Sequence, residues 1–268
     1  MTNQNEFTKA ELLQRLNAIA GKWHAGTRQG NDGNAGHTFE DLVGVEENNF
    51  SLPDFGDIEI KTQRVETGSL VTLFHKEPQP AATLPKLIQR MGWQHKDAGT
   101  RYGENELSFR STTQANKFSV RGFRVESSGG KIVFNFDENQ VARDVVDKTN
   151  VYNTYGDWLI DINSRTPNYK DLFPIYWDES VFADKCVEKL DNTLYKYRKT
   201  HVKQGTKMYM YTEAYLMKDF KNERIQILFD EGALFIDFDA RTGHNHGTKL
   251  RVKLSHLARL FDTHEKVL

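Results

Sequence analysis

The sequence predicts an α/β chain of the mixed α+β kind, with a β-sheet core flanked by helices and a bilobed build. Two observations carry that prediction. Apolar residues recur at helical spacing near the N-terminus and at strand spacing around residues 58–60 and 106–136, so both periods coexist in one chain. The length, 268 residues with 38% hydrophobic and 12% aromatic content, is enough to bury a core without staples. It suits one large domain or two lobes sharing a core. The single cysteine, Cys186, excludes an internal disulfide and an all-cysteine zinc site, and is expected as a small core residue in a reducing cytoplasm. No signal-peptide pattern is seen and no apolar run approaches the ~20 residues that span a bilayer, so no membrane role is expected.

In chain order, Thr8-Lys9-Ala10-Glu11 has the capping-box pattern, and Leu12, Leu13, Leu16 and Ile19 form one stripe. This predicts a helix from about Thr8 to Ala20, ended by Gly21. Gly26 to Gly36 is polar and glycine-rich, a mobile loop able to close over a partner, without the glycine spacing of a nucleotide-binding loop. Thr38 to Val43 reads as a short helix with Phe39, Leu42 and Val43 inward and Glu40 and Asp41 on its polar side.

The stretch Pro53-Asp54-Phe55-Gly56-Asp57-Ile58-Glu59-Ile60-Lys61 carries the chemistry. In a strand, Ile58 and Ile60 face a core while Glu59 and Lys61 share the opposite face. The preceding turn swings Asp54 toward that face. Two carboxylates converging there suit a hard divalent cation such as Mg²⁺, which takes oxygen ligands and keeps several waters. Lys61 would favour the ionised form of a water at that cation, and the metal would stabilise charge growing on an attacked phosphate. These are the features of a nuclease site. The competing reading is the wet side of an amphipathic strand, since alternating charge is ordinary there. Asp57 is expected as a surface carboxylate.

Val65 to Ser69, around Gly68, reads as a hairpin turn with Leu70 to Phe74 as the partner strand, followed by His75. Pro78 to Pro85 leads into a short helix at Lys86 to Met91. From Glu106 to Phe136 the pattern is strand-like on both sides of a Ser127-Ser128-Gly129-Gly130 turn, which predicts a β-rich second lobe. Trp158 to Ile162 reads as a strand and Val181 to Leu190 as a helix. Met208 to Tyr215, Ile225 to Phe229 and Leu234 to Phe238 read as strands.

Gly243 and Gly247 flank His244-Asn245-His246, so the backbone there can approach a ligand closely, and Lys249, Arg251 and Lys253 follow on one face of a strand. Arg251 could make a bidentate contact to guanine, with His244 and His246 reading neighbouring base edges. Zinc at the two histidines lacks evident further ligands. A solvated glycine-rich turn is the plain alternative. The charge balance, 36 basic against 37 acidic residues, lacks the excess common in DNA-binding domains, so basic side chains must be concentrated locally. Clusters at Lys86–Lys96, Lys196–Lys207 and Arg241–Arg259 meet that need, although each alone could be a solvated face.

Gly36-His37-Thr38-Phe39-Glu40-Asp41-Leu42-Val43-Gly44, Glu47-Asn48-Asn49, Pro53-Asp54, the block Leu70 to Lys76 and the segment Gly243 to Arg251 together resemble the MvaI/BcnI family of type II restriction endonucleases, relatives of the nicking enzyme MutH. The blocks occur in family order, with 90–230 matched only loosely. The resemblance implies a PD-(D/E)xK core with a DNA-binding cleft, built as a catalytic lobe over roughly 8–75 and recognition elements over roughly 76–268. It implies Mg²⁺-dependent hydrolysis of double-stranded DNA, with Mn²⁺ substituting and Ca²⁺ supporting binding without cleavage. Asp54, Glu59 and the Ile60 carbonyl would hold the ion, Lys61 would orient or activate water, and Glu40 would support the metal shell. His75, His244, His246, Lys249 and Arg251 would contact DNA. Also implied are a monomer that cuts one strand at a time at a short C/G-rich site, and a cognate DNA methyltransferase as functional partner. The alternatives are a MutH-like nicking repair enzyme and a catalytically silent DNA-binding protein.

Overall fold

A computed structural model of the chain describes residues 8–28, 33–45, 53–64, 68, 70–149 and 151–268. Most of the expected turn at 65–69, the middle of the expected 26–36 loop and Glu47-Asn48-Asn49 lie outside the described residues. The elements run α1 (Lys9–Ile19), β1 (His24–Ala25), α2 (Asn34–Val43), β2 (Ile58–Arg64), β3 (Leu70–His75), α3 (Thr83–Met91), β4 (Trp93–Gln94), β5 (Leu107–Thr113), β6 (Arg121–Ser128), β7 (Lys131–Val141) and α4 (Tyr155–Arg165). They continue with β8 (Ile175–Asp178), α5 (Glu179–Leu190), β9 (Asn192–Lys203), β10 (Thr206–Phe220), α6 (Glu223–Asp230), β11 (Leu234–Arg241), β12 (His244–Lys253), α7 (Leu254–Leu257) and β13 (Phe261–Lys266). The chain is thus mixed α+β, as its two periodicities require. Among the described residues no helix is long and apolar enough to cross a membrane.

Two compact units share these elements: 1–71 with 185–222 and 254–268, and 72–184 with 223–253. In the first, the sheet order is β1-β10-β9-β2, with β13 also on β10. β9 and β10 form a long antiparallel hairpin whose turn residues Gln204 and Gly205 both take positive φ, the twist-matched geometry for a two-residue connection. β2 joins β9 in parallel, Ile60 opposite Leu194 and Thr62 opposite Lys196. Leu12 and Leu16 of α1, Phe39 and Val43 of α2, and Ile58, Ile60, Leu194, Tyr211 and Leu216 of the sheet make one buried core. The Thr8 capping box starts α1, and the Tyr211 hydroxyl donates to the Ala35 carbonyl at 2.8 Å, fastening α2 to the sheet.

The second unit holds a sheet of order β3-β12-β11-β5-β4 and a smaller one of order β6-β7-β8. Gly129 and Gly130, both at positive φ, turn β6 into β7 where expected. Phe109, Phe123, Phe134, Phe238 and Trp177 fill the space between the strands, with centroid separations of 4.6 Å for Phe134–Phe238 and 5.2 Å for Phe123–Phe134. Cys186, which belongs to the first unit, is buried, and burial pushes its thiol pKa up, which leaves it a small core residue.

Several local expectations are corrected. Trp158 to Ile162 is helical, inside α4: Thr154 and Asp157 form a second capping box, and Trp158, Leu159 and Ile162 are buried while Ile160 is 69% exposed, the mark of a helical face. Ile225 to Phe229 is likewise helical, with Ile225, Leu228 and Phe229 inward and Ile227 outward. Both are short apolar runs whose period is ambiguous in isolation. α2 begins at Asn34, before Thr38, and α3 at Thr83, with Pro85 tolerated in the first turn where its missing N–H has no helical partner. Leu70 to Phe74 is a strand, yet its sheet neighbour is β12; the partner seen for β2 is β9.

Candidate functional site

Asp54 sits in a tight turn in which Phe55 and Ile58 exchange backbone hydrogen bonds of 3.0 and 2.9 Å. Its Oδ2 accepts the N–H of Ile60 at 2.8 Å, on the side of β2 away from β9. N–H and C=O of one strand residue point the same way, so the Ile60 carbonyl is directed toward the edge that Asp54 occupies.

Glu59 and Lys61 lie on the face of β2 opposite Ile58 and Ile60, and that face is covered. Glu59 is 1% exposed, which rules out a solvated strand face. Its Oε1 takes an ion pair from Lys61 and a second from Lys189 of α5 at 3.4 Å, while its Oε2 is buried without a hydrogen-bond partner. Burial holds the Glu59 pKa above its ordinary value, with the charge of Asp54 adding and Lys61 and Lys189 opposing. Asp57 stays at the surface, accepting from Asn192 at 2.9 Å.

On the other face, Glu40 of α2 is 3.4 Å from His37, and its pKa is raised by burial and then by Asp54. Lys196 of β9 lies here too, opposite Thr62. It is fully buried, its Nζ 3.2 Å from the Phe39 ring centroid and without a hydrogen-bond partner. Burial drives its pKa well below that of an ordinary lysine, against the pull of Glu40 and Asp54. The group therefore wraps around one edge of β2: Glu59 and Lys61 on one face, Glu40 and Lys196 on the other, Asp54 at the edge.

Among the described residues no three carboxylate, histidine or thiol side chains form a ready-made metal cage. Mg²⁺ does not require one, since it is ordinarily held by one or two carboxylates and completes its shell with water and substrate oxygens. The unpartnered Glu59 Oε2, the mutual repulsion of Asp54 with Glu40 and Glu59, and a carbonyl aimed at the same edge fit a hard divalent cation.

The other candidate residues gather in the second unit, along neighbouring strands. His75 ends β3 next to Gly247 of β12, where Lys76 N–H bonds the Thr248 carbonyl at 2.9 Å. His244 and His246 are exposed and meet edge to face at 4.3 Å. Burial lowers the His246 pKa, against the opposing charge of Asp239. Lys249 pairs with Asp239 at 2.9 Å and Arg251 with Asp237 at 2.8 Å, and Thr112 also donates to Asp237 at 2.7 Å.

Across residues 13–261 the chain matches the model of the MvaI/BcnI restriction endonuclease family. The chain belongs to that family. Membership of the MvaI/BcnI family makes it a type II restriction endonuclease, a site-specific deoxyribonuclease. Among solved structures it is similar to restriction endonuclease MvaI in complex with cognate DNA substrate, with 20% identity, a TM-score of 0.75, and 97% of this chain and 99% of that one covered. It is also similar to MvaI in the absence of DNA, at 20% identity and a TM-score of 0.50 over the full length of both chains. At that identity the likeness concerns the fold. No curated protein matches the chain.

Four residues of this MvaI/BcnI member escaped sequence reasoning. Lys196 read only as one member of the Lys196–Lys207 basic cluster, and Lys189 only as part of the helix Val181 to Leu190. Asp237 lay inside the expected strand Leu234 to Phe238, whose neighbours were unknown, and Asp239 just past its expected end. The lone signal was alternation: Lys196 falls in phase with Leu194, so a strand through Leu194 carries it to the core side.

Proposed function

We propose that the chain cuts double-stranded DNA by Mg²⁺-dependent hydrolysis at a short C/G-rich target, acting as a monomer that severs one strand at a time. The observation that carries this reading is the Glu59 carboxylate, buried beside Lys61 with one oxygen unpartnered. Asp54, Glu59 and the Ile60 carbonyl are the ligand set, with Mn²⁺ able to replace Mg²⁺ and Ca²⁺ supporting binding alone. When bound, the ion supplies Lewis-acid stabilisation of the charge that develops on the scissile phosphate. Lys61 holds the attacking water in line with the phosphorus and favours loss of its proton. Glu40 steadies the carboxylate group from the far face of β2, where Lys196 also lies.

Recognition falls to His75, His244, His246, Lys249 and Arg251. The Arg251 guanidinium matches the N7 and O6 acceptors of guanine, and the imidazoles can donate or accept on adjacent base edges. Release of Arg251 from Asp237 on binding would exchange one ion pair for a base contact. A cognate methyltransferase protects host sites as the functional partner.

The test is incubation of purified protein with unmethylated phage DNA in Mg²⁺, beside Asp54→Ala, followed by sequencing of the fragment ends. Discrete fragments that vanish with the substitution support the reading and give target and stagger together. Intact DNA in both reactions overturns it, and nicks without double-strand breaks overturn its two-strand part.

A further inference from the structure

Within the second unit a cavity of about 590 Å³ is lined by Trp93, His95, Lys96, Ser108, Arg110 and Lys148, among others, and none of its described lining residues is a carboxylate. Lys96 and Lys148 are exposed and make no ion pair among the described residues. We propose that this cavity binds a phosphate of the DNA backbone flanking the target, outside the bases read from β12. The proposal rests on the nuclease reading above.

The loop that presents Lys148 is anchored on both sides of it. Arg121 Nη2 donates to both oxygens of Asp147 at 3.0 and 3.1 Å and to the Thr149 hydroxyl at 3.3 Å. The same guanidinium lies 4.1 Å from the Trp93 ring centroid, 4.8 Å from Tyr155 and 5.0 Å from Trp158. The Lys148 N–H donates to the Tyr155 hydroxyl at 3.3 Å. Burying an ion pair is costly in itself. Here the buried pair immobilises a short loop while the one ammonium between its anchors stays in solvent at the cavity rim.

His95, Ser108 and Arg110 add donors to the lining. His95 Nδ1 accepts the Asp97 N–H at 3.0 Å, so the neutral ring carries its proton on Nε2. Lysine, arginine and hydroxyl groups around a donor imidazole, with no lining carboxylate, select an anion with several acceptor oxygens. Arg110 Nε holds Asp239 at 3.2 Å, and Asp239 holds Lys249 of β12, so the cavity adjoins the reading strand through one shared carboxylate. β5 and β12 flank β11, which sets them roughly 10 Å apart. Duplex DNA carries a charge every ~1.7 Å of its axis, so a duplex seated on β12 has phosphates at that distance.

The experiment uses the full chain carrying Asp54→Ala, so that DNA stays intact, with and without Lys96→Ala and Lys148→Ala together. Binding to a duplex bearing the sequenced target is measured across a salt series. The proposal expects the lysine variant to lose roughly 10-fold in affinity at low salt and its log K against log salt slope to fall by about 0.9 for the lost phosphate contact. It also expects removal of flanking base pairs to weaken the parent and not the variant. An unchanged slope in a protein that still binds its target overturns the proposal and leaves the nuclease reading standing. Saturable binding of inorganic phosphate that the lysine variant loses, with the DNA slope unchanged, identifies a small-anion site and also overturns it. Failure of the parent to bind any DNA overturns both readings.

Discussion

Asp54 accepts the backbone N–H of Ile60 at 2.8 Å, so the carboxylate proposed as a metal ligand is held by the strand beside it. Asp54→Asn keeps an acceptor for that N–H and removes the charge, whereas Asp54→Ala removes both. Cleavage is expected to fall at least ~100-fold in either, since loss of a ligand exceeds the 10–100-fold typical of its supporting shell. Only the alanine variant is expected to lose stability, by about 1 kcal/mol for the missing bond. Plasmid cleavage rates and urea midpoints check the two halves separately, and equal midpoints would show that the hydrogen bond has no structural role.

The raised pKa values of Glu40 and Glu59 give the metal-free protein a distinctive pH dependence. Each group stays protonated in the folded state at a pH where the unfolded chain has already lost the proton. Their contribution to stability is therefore complete below the ordinary carboxylate range and is lost as pH rises through the raised values. In EDTA, Tm is expected to drop as pH rises above the ordinary carboxylate range, beyond the trend of Glu59→Gln. Saturating Mg²⁺ should reverse the drop at the upper end, because the ion takes the ionised carboxylates. Parallel curves for both proteins would remove Glu59 as the cause.

Lys196 is fully buried with no hydrogen-bond partner for its Nζ. Lys196→Met retains the stem packed near Phe39 and discards the unsatisfied nitrogen. Stability in EDTA is expected to rise by about 1 kcal/mol, while cleavage in Mg²⁺ falls. A variant that is destabilised, with unaltered cleavage, would mark Lys196 as purely structural.

Gly247 has φ of +85°, and a Cβ there would come within 2.9 Å of the His75 ring. Gly247→Ala is expected to cost about 1 kcal/mol from the left-handed backbone alone and to push His75 away. Target affinity should fall while Mg²⁺ affinity at Asp54 and Glu59 holds. Unchanged DNA affinity would take His75 out of recognition.

Much of the local structure was legible in the residues. The Thr8 capping box, the alternation at Ile58 and Ile60 and the glycine pair at 129–130 each express an interaction spanning a few residues, and the structure keeps all three. The runs at Trp158–Ile162 and Ile225–Phe229 failed for the complementary reason. Five apolar-rich residues fit either period, and the burial that chooses between them comes from packing partners elsewhere in the chain.

By itself, the sequence determined the fold class and the family, because these reside in motif order, residue type and short-range periodicity. Only the tertiary structure decided that β2 lies beside β9 in parallel and that Lys189 of α5 reaches Glu59. Those long-range pairings bury Glu59, bring Lys189 to it, and bring Lys196 within the electrostatic reach of Glu40. The perturbation of charge at this site is a property of burial and proximity, which arise when segments more than a hundred residues apart meet, and no local pattern encodes them.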